Sequence, residues 1–155
     1  MSVEFKTGDL LKTDIEYICH QVNCQGRMGS GIAKQIREKY PKVYDEYIDK
    51  CNNSKDKFLL LGQTQIIDIG NVKVCNLFSQ YNYGYDGKRY TSYDAFWNCL
   101  HELKKVIPEG SKIGFPENIG CGLGGANWPV IRSMIWEVLG LENYEVYIYS
   151  LEDRV

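Results

Sequence analysis

The stretch Ile113–Pro129 (IGFPENIGCGLGGANWP) restricts what this chain can fold into more than any other. It opens as a short apolar segment, carries glycines at 120, 122, 124 and 125, and ends at a proline fit for the first turn of a helix. A strand, a glycine-rich turn and a helix N-terminus make an anion site: bare backbone N–H groups point outward and the helix dipole favours negative charge. Gly120, Gly122 and Gly125 match the dinucleotide spacing G-x-G-x-x-G. That fingerprint normally opens a nucleotide-binding half, yet only about thirty residues follow it here. The loop therefore reads as a phosphate cradle late in a small domain, not as the start of a Rossmann fold. Glycines can also serve close packing of helix on strand, but so many in one short run favour the cradle.

The rest of the chain supplies alternating strands and helices. Val3–Thr7 alternates and runs into Gly8-Asp9, a strand followed by a turn. Glu16–Val22 is a second, more buried strand, and Asn23–Gly31 a second glycine-rich loop. Ile32, Ala33, Ile36 and Tyr40 keep helical spacing until Pro41 closes or kinks the helix, and Val43, Tyr44, Tyr47 and Ile48 continue as another. Gly62–Asp68 and Val72–Phe78 form a hairpin around Gly70-Asn71. Ser79–Arg89, with tyrosines at 81, 83 and 85, is a loop that either covers a site or is a polar surface connector. Phe96, Leu100, Leu103 and Ile107 mark a long amphipathic helix. Ile131, Met134, Ile135, Val138 and Leu139 form the stripe of a last helix, with Asn127 as its cap, and Tyr144–Leu151 is a final strand. The expected fold is α/β, a mixed central sheet with helices on both faces in three layers. In such a sheet both glycine loops reach the carboxyl ends of strands, where ligands sit, and two opposed backbone cradles suit a diphosphate.

Composition narrows the setting. A chain of 155 residues reads as one domain, 1–155. The net charge of −2 gives no general grip on nucleic acid, and no apolar run is long enough to span a membrane. The six cysteines at 19, 24, 51, 75, 99 and 121 contain no C-x-x-C pair, which argues against a zinc site and a disulfide scaffold and for a reducing, cytoplasmic setting. A monomer is expected. Cys24 and Cys121 flank the two loops, yet neither opens a phosphatase-type C-x₅-R: the sixth residue after each is Ser30 and Asn127. His20 on its buried strand is either a hydrogen-bonded core residue or a nucleophile or general acid for a phosphomonoester. Asp9, read alone, terminates the turn after the first strand.

Gly8-Asp9-Leu10, then Asn23-Cys24 with Met28–Ala33, then Ile119–Gly125 with Trp128 resemble the macrodomain family of ADP-ribose-binding modules, in the family's order and across almost the whole chain. The Gly-Cys-Gly-Leu-Gly-Gly run looks most like the antitoxin branch that removes ADP-ribose from DNA, while His20 before Asn23-Cys24 looks more like the ADP-ribose-1″-phosphate phosphatase branch. The resemblance implies a three-layer α/β/α macrodomain that binds ADP-ribose or an ADP-ribosylated partner, with nucleic acid only as a modified substrate and no metal or cofactor. Carried over by residue, it gives Asp9 to the adenine, the carboxylate accepting from the exocyclic amine, and counts Leu10 among the ligand-binding residues. It gives Asn23 to the distal ribose, whose diol an amide can both donate to and accept from. Gly29, Ser30, Gly31 and Ile32 and the run Ile119, Gly120, Cys121, Gly122, Leu123, Gly124 and Gly125 would wrap the diphosphate, and Tyr149 would lie by the adenine. The glycohydrolase branches place a lysine where this chain has Gln80, and the terminal protein glycohydrolase places an acid where it has Gly124. A neutral amide cannot attack an anomeric carbon as an amine does. His20 and Gln80 are the candidate catalytic residues. The implied activity is hydrolysis, either dephosphorylation of ADP-ribose-1″-phosphate or cleavage of an ADP-ribosyl link, with a non-catalytic reader of ADP-ribosylated partners as the alternative.

Overall fold

A computed structural model describes residues 2–151 and gives one six-stranded sheet. Its strands are β1 (Ser2–Thr7), β2 (Tyr17–Asn23), β3 (Thr64–Asp68), β4 (Lys73–Gln80), β5 (Lys112–Pro116) and β6 (Glu145–Ser150), in the spatial order β1-β6-β5-β2-β4-β3. All neighbours are parallel except the edge strand β3, which pairs antiparallel with β4 as the hairpin predicts. β2 and β4 are central and buried almost throughout, the pattern of parallel strands covered on both faces.

Helices α1 (Gly31–Lys39), α2 (Pro41–Asn53), α3 (Tyr93–Val106) and α4 (Trp128–Ile135) complete the layers. Pro41 does what its chemistry requires, ending α1 and opening α2 in one step, with Tyr40 between them outside helical geometry. The alternation of β2 sorts its side chains. Tyr17 and Cys19 join the apolar cluster under α3 and α4 with Phe96, Leu100, Phe115 and Ile131, whereas Ile18 and Val22 join the one under α1 and α2 with Ile36, Tyr47 and Phe78. The three-layer expectation holds.

Three details depart from the sequence reading. The last helix is not uniform: α4 ends at Ile135 and continues as a π-helical turn over Trp136–Gly140, which still buries Val138 and Leu139. Asn127 precedes α4, but its side chain makes no capping bond; its backbone N–H is held by the Tyr93 hydroxyl at 2.9 Å. The β2–β4 register also shifts between Val22 and Asn23, so that Asn23 stands opposite Gln80 at the carboxyl end of the sheet. That shift sets the geometry of the site.

Candidate functional site

The turns after the parallel strands enclose a groove of two adjoining lobes. The first, of about 610 Å³, is lined by Gly8, Asp9 and Leu10 after β1, Gly31 and Ile32 at the start of α1, the turn Pro116–Gly120 with Gly122 after β5, and Tyr149–Leu151 at the end of β6. The second, of about 410 Å³, is lined by Asn23, the loop 26–30, Ala33, Arg37, Tyr44, Gln80, Tyr83–Tyr85 and Leu123. Both are in the size range of small-molecule sites. They meet where the chain passes from Ser30 to Gly31 and from Gly122 to Leu123.

The junction presents the N-terminus of α1 to both lobes. Ser30 is placed to cap α1, yet its side chain makes no cap bond; its hydroxyl meets Tyr85 Oη at 3.1 Å across the second lobe. The first-turn N–H groups of α1 are thereby left without the side-chain acceptor that position usually supplies. Residues 30 and 33 of this turn line the second lobe, and residues 31 and 32 the first. The charges of the lobes are opposite: the first has Asp9 and Glu117, the second Arg27 and Arg37. The Arg37 guanidinium lies 3.8 Å above the Tyr44 ring centroid.

Asp9 keeps its turn role and faces the groove. Its Oδ1 accepts from Leu11 N–H at 2.9 Å, capping the 3₁₀ turn Leu10–Lys12, while the residue lines the first lobe. Asn23 is committed to its own loop: Oδ1 accepts from the N–H groups of Gln25 and Arg27 and from the buried Tyr47 hydroxyl, and Nδ2 donates to Arg27 O. It still lines the second lobe.

The long glycine run divides. Ile119, Gly120 and Gly122 face the first lobe and Leu123 the second, but Cys121, Gly124 and Gly125 line neither. Gly124 is a close-packing position. A Cβ there would lie 2.5 Å from Gly120 O and 2.6 Å from Thr91 Oγ1, and its carbonyl accepts from Tyr90 and Thr91 N–H. Gly125 packs likewise against Lys88 and Arg89. Gly120 is close-packed as well, a Cβ there lying 2.8 Å from Gln21 Oε1, whereas Gly122 alone of the four has open space beside it.

His20 is not at the groove. It is fully buried on the α1–α2 face of β2, with Nε2 2.5 Å from Asn76 Oδ1. Asn76 turns its Nδ2 to Gln65 Oε1, so its Oδ1 can only accept and His20 carries its proton on Nε2. Nδ1 has no partner among the described residues, and burial lowers the ring's pKa to about 4. A sealed neutral ring reaches no substrate, so the catalytic expectation for His20 does not survive the geometry. The thiols fare no better as nucleophiles: burial pushes Cys24 up to about 12 and Cys121 up to about 11.

Gln80 does line the second lobe, as do Tyr83 and Tyr85, while Tyr81 instead stacks on Phe58 with centroids 4.0 Å apart. Sequence reasoning missed Gln21, Arg27, Arg37 and Tyr44. Arg37 had one available signal, its position one helical turn after Ala33 on the face that opens the lobe. Among the described residues no group of three or more His, Cys, Asp or Glu is placed to hold a metal ion.

The Macro domain family profile matches residues 19–135. A DNA ADP-ribosyl glycohydrolase of Thermus aquaticus is 27% identical over 96% of this chain and 41% of its own length. One from Mycobacterium tuberculosis is 33% identical over 86% of this chain and 37% of its own. The chain thus spans about two fifths of the length of these curated relatives. The solved macrodomain of Mycobacterium tuberculosis DarG superposes with a TM-score of 0.80 at 24% identity, covering 95% of this chain and 96% of that one.

Proposed function

The chain belongs to the macrodomain family, and from that premise we propose that it binds ADP-ribose along the groove and hydrolyses the bond joining the distal ribose to a substituent in the second lobe. The observation that carries this reading is the junction: two oppositely charged lobes meet over the uncapped N-terminus of α1 and the Gly120–Gly122 turn. The adenine lies by Asp9 and Tyr149. The diphosphate lies over Gly31, Ile32, Gly120 and Gly122. The distal ribose then reaches Asn23 and Gln80, with its substituent among Arg27, Arg37, Tyr44, Tyr83 and Tyr85. Rings and guanidiniums suit a planar, anionic group better than a bare phosphate, so ADP-ribosylated nucleic acid is favoured over ADP-ribose-1″-phosphate. The names of the glycohydrolase relatives agree with that choice.

In hydrolysis, water adds to the anomeric carbon as the link to the leaving group breaks, and the leaving group departs with a proton. Among the described residues none that lines the groove is a lysine, so the protein's contribution is positioning of substrate and water. Gln80, in the place where the resembled glycohydrolases carry lysine, is the specific observation that favours the second reading, a binder without turnover.

The deciding experiment incubates the protein with an ADP-ribosylated thymidine oligonucleotide, an ADP-ribosylated protein and ADP-ribose-1″-phosphate. Free ADP-ribose from the oligonucleotide is the expected product. Silence on all three, with ADP-ribose still bound, establishes the binder instead; phosphate release alone moves the chain to the phosphatase reading. For the adenine end, Asp9→Ala weakens ADP-ribose by about 1–3 kcal/mol, the cost of a lost charged hydrogen bond. Calorimetry reads it, and unchanged affinity removes Asp9 from the adenine.

A further inference from the structure

The two lobes are separated by a polar septum assembled from residues distant in sequence. Gln21 on β2 donates from Nε2 to Gln80 Oε1 at 2.7 Å and to Thr91 Oγ1 at 2.8 Å. Its Oε1 accepts from Ser79 Oγ at 2.6 Å. Thr91 Oγ1 donates onward to Gly120 O at 2.8 Å, and Gln80 Nε2 to Asn82 O at 2.7 Å. Gln21 lines the first lobe and Gln80 the second, so the chain of bonds runs from the glycine turn to the leaving-group side.

The polarity of this chain is fixed from both ends. Asn82 O and Gly120 O are backbone carbonyls and can only accept. At one end, Gln80 must therefore turn its NH₂ to Asn82 and its oxygen to Gln21. At the other, the Thr91 hydroxyl must give its hydrogen to Gly120 and receive one from Gln21. Each end demands a hydrogen from the same Gln21 nitrogen, which has two. The reverse arrangement would set Gln80 Oε1 against Asn82 O and leave Gly120 O without the Thr91 donor. With its oxygen held by Gln21 and one Nε2 hydrogen held by Asn82, what Gln80 offers the lobe is its second Nε2 hydrogen.

We infer that Gln21 is a positioning residue that fixes Gln80 as a hydrogen-bond donor to the distal ribose or its substituent, and that it does so through a relay anchored on the glycine turn. This rests on the reading that ADP-ribose fills the groove. Gln80 thus acts as a donor, neither base nor nucleophile, for which a neutral amide is too weak. The coupling also gives the turn that cradles the diphosphate and the group that meets the ribose one shared set of bonds.

The test compares ADP-ribose with ADP, which lacks the distal ribose, by calorimetry on the full chain. Gln21→Glu keeps the shape but offers no N–H, and Gln80→Leu removes the donor. Each lowers the preference for ADP-ribose over ADP about tenfold, the worth of one hydrogen bond to a buried group. The terminal phosphate of ADP gives it about one more negative charge than ADP-ribose, so an added carboxylate disfavours ADP more and cannot by itself lower the ratio. The two substitutions combined lower the ratio no further than either alone, because Gln21 acts through Gln80. Thr91→Val lowers the ratio as well and Thr91→Ser restores it. An unchanged ratio in Gln21→Glu, or additive effects in the pair, overturns the inference. ADP-ribose that fails to bind the unaltered protein defeats the groove reading and the inference together. Binding with the expected ratios but no hydrolysis of any conjugate defeats the hydrolase reading alone.

Discussion

Gly124→Glu destabilises the fold by about 3 kcal/mol or more and abolishes ADP-ribose binding, since it forces both bulk and an unpaired charge into a filled space. The Cβ alone would stand 2.5 Å from Gly120 O, 2.6 Å from Thr91 Oγ1 and 3.0 Å from Gln21 Nε2. None of these is the far end of a flexible chain free to swing away: one is backbone and two belong to the septum. Gly124→Ala, without the charge, costs about 1–3 kcal/mol as overpacking. Urea denaturation measures both, and a glutamate variant as stable as the parent contradicts the packing described for the septum. The substitution also tests an obvious engineering idea, that an acid after the Gly-Cys-Gly-Leu run would confer the chemistry of the protein glycohydrolase branch. In this chain the position has no room for it.

The second large effect is a dependence of stability on pH. His20 has its pKa lowered by burial to about 4, against about 6.5 for a free histidine, and the Asn76 bond only partly offsets this. Between those values the unfolded chain binds a proton that the folded chain refuses. Stability is therefore fully present above about pH 6.5 and is lost as the pH falls toward 4, by an amount on the order of 3 kcal/mol. Urea unfolding of the parent and of His20→Leu from pH 7.5 down to 4.5 isolates this contribution, because the two proteins differ only at this side chain. The parent loses stability more steeply across the window. Parallel pH curves would mean that the ring charges in place and is less enclosed than the geometry requires. In either case the observable is stability, not turnover.

His20 also illustrates what a sequence can and cannot carry. Its neighbours correctly mark β2 as a buried strand, and the alternation of apolar and polar residues places nearly every strand and helix of the fold. Direction within the layer is harder to read. A histidine two residues from a glycine loop looks close to the chemistry, but the strand turns it toward α1 and α2, onto Asn76. The glycine run is legible as a turn before a helix, yet glycine is chosen both for an exposed cradle and for close packing, and one sequence cannot separate Gly122 from Gly124. The septum is the least legible part. Gln21, Ser79, Thr91 and Gly120 share no motif or periodicity; the bridge of Thr91 to Gln80 just before α3 and the turn after β5 bring them together. Asp9, by contrast, is legible as a turn residue because a carboxylate after a glycine caps the turn that follows.

The parallel pairing of β1 with β6, Ser2 opposite Glu145 and Thr7 opposite Ser150, has a practical consequence for how the protein is held. The first strand begins at the edge of the sheet remote from the groove, whereas the last ends beside it, with Leu151 on the wall of the first lobe. Six residues of extended chain separate those edges, on the order of 20 Å. Anything tethered through Ser2 leaves the mouth of the groove clear. A surface or fluorophore attached through Leu151 stands at that mouth and competes for space with whatever enters.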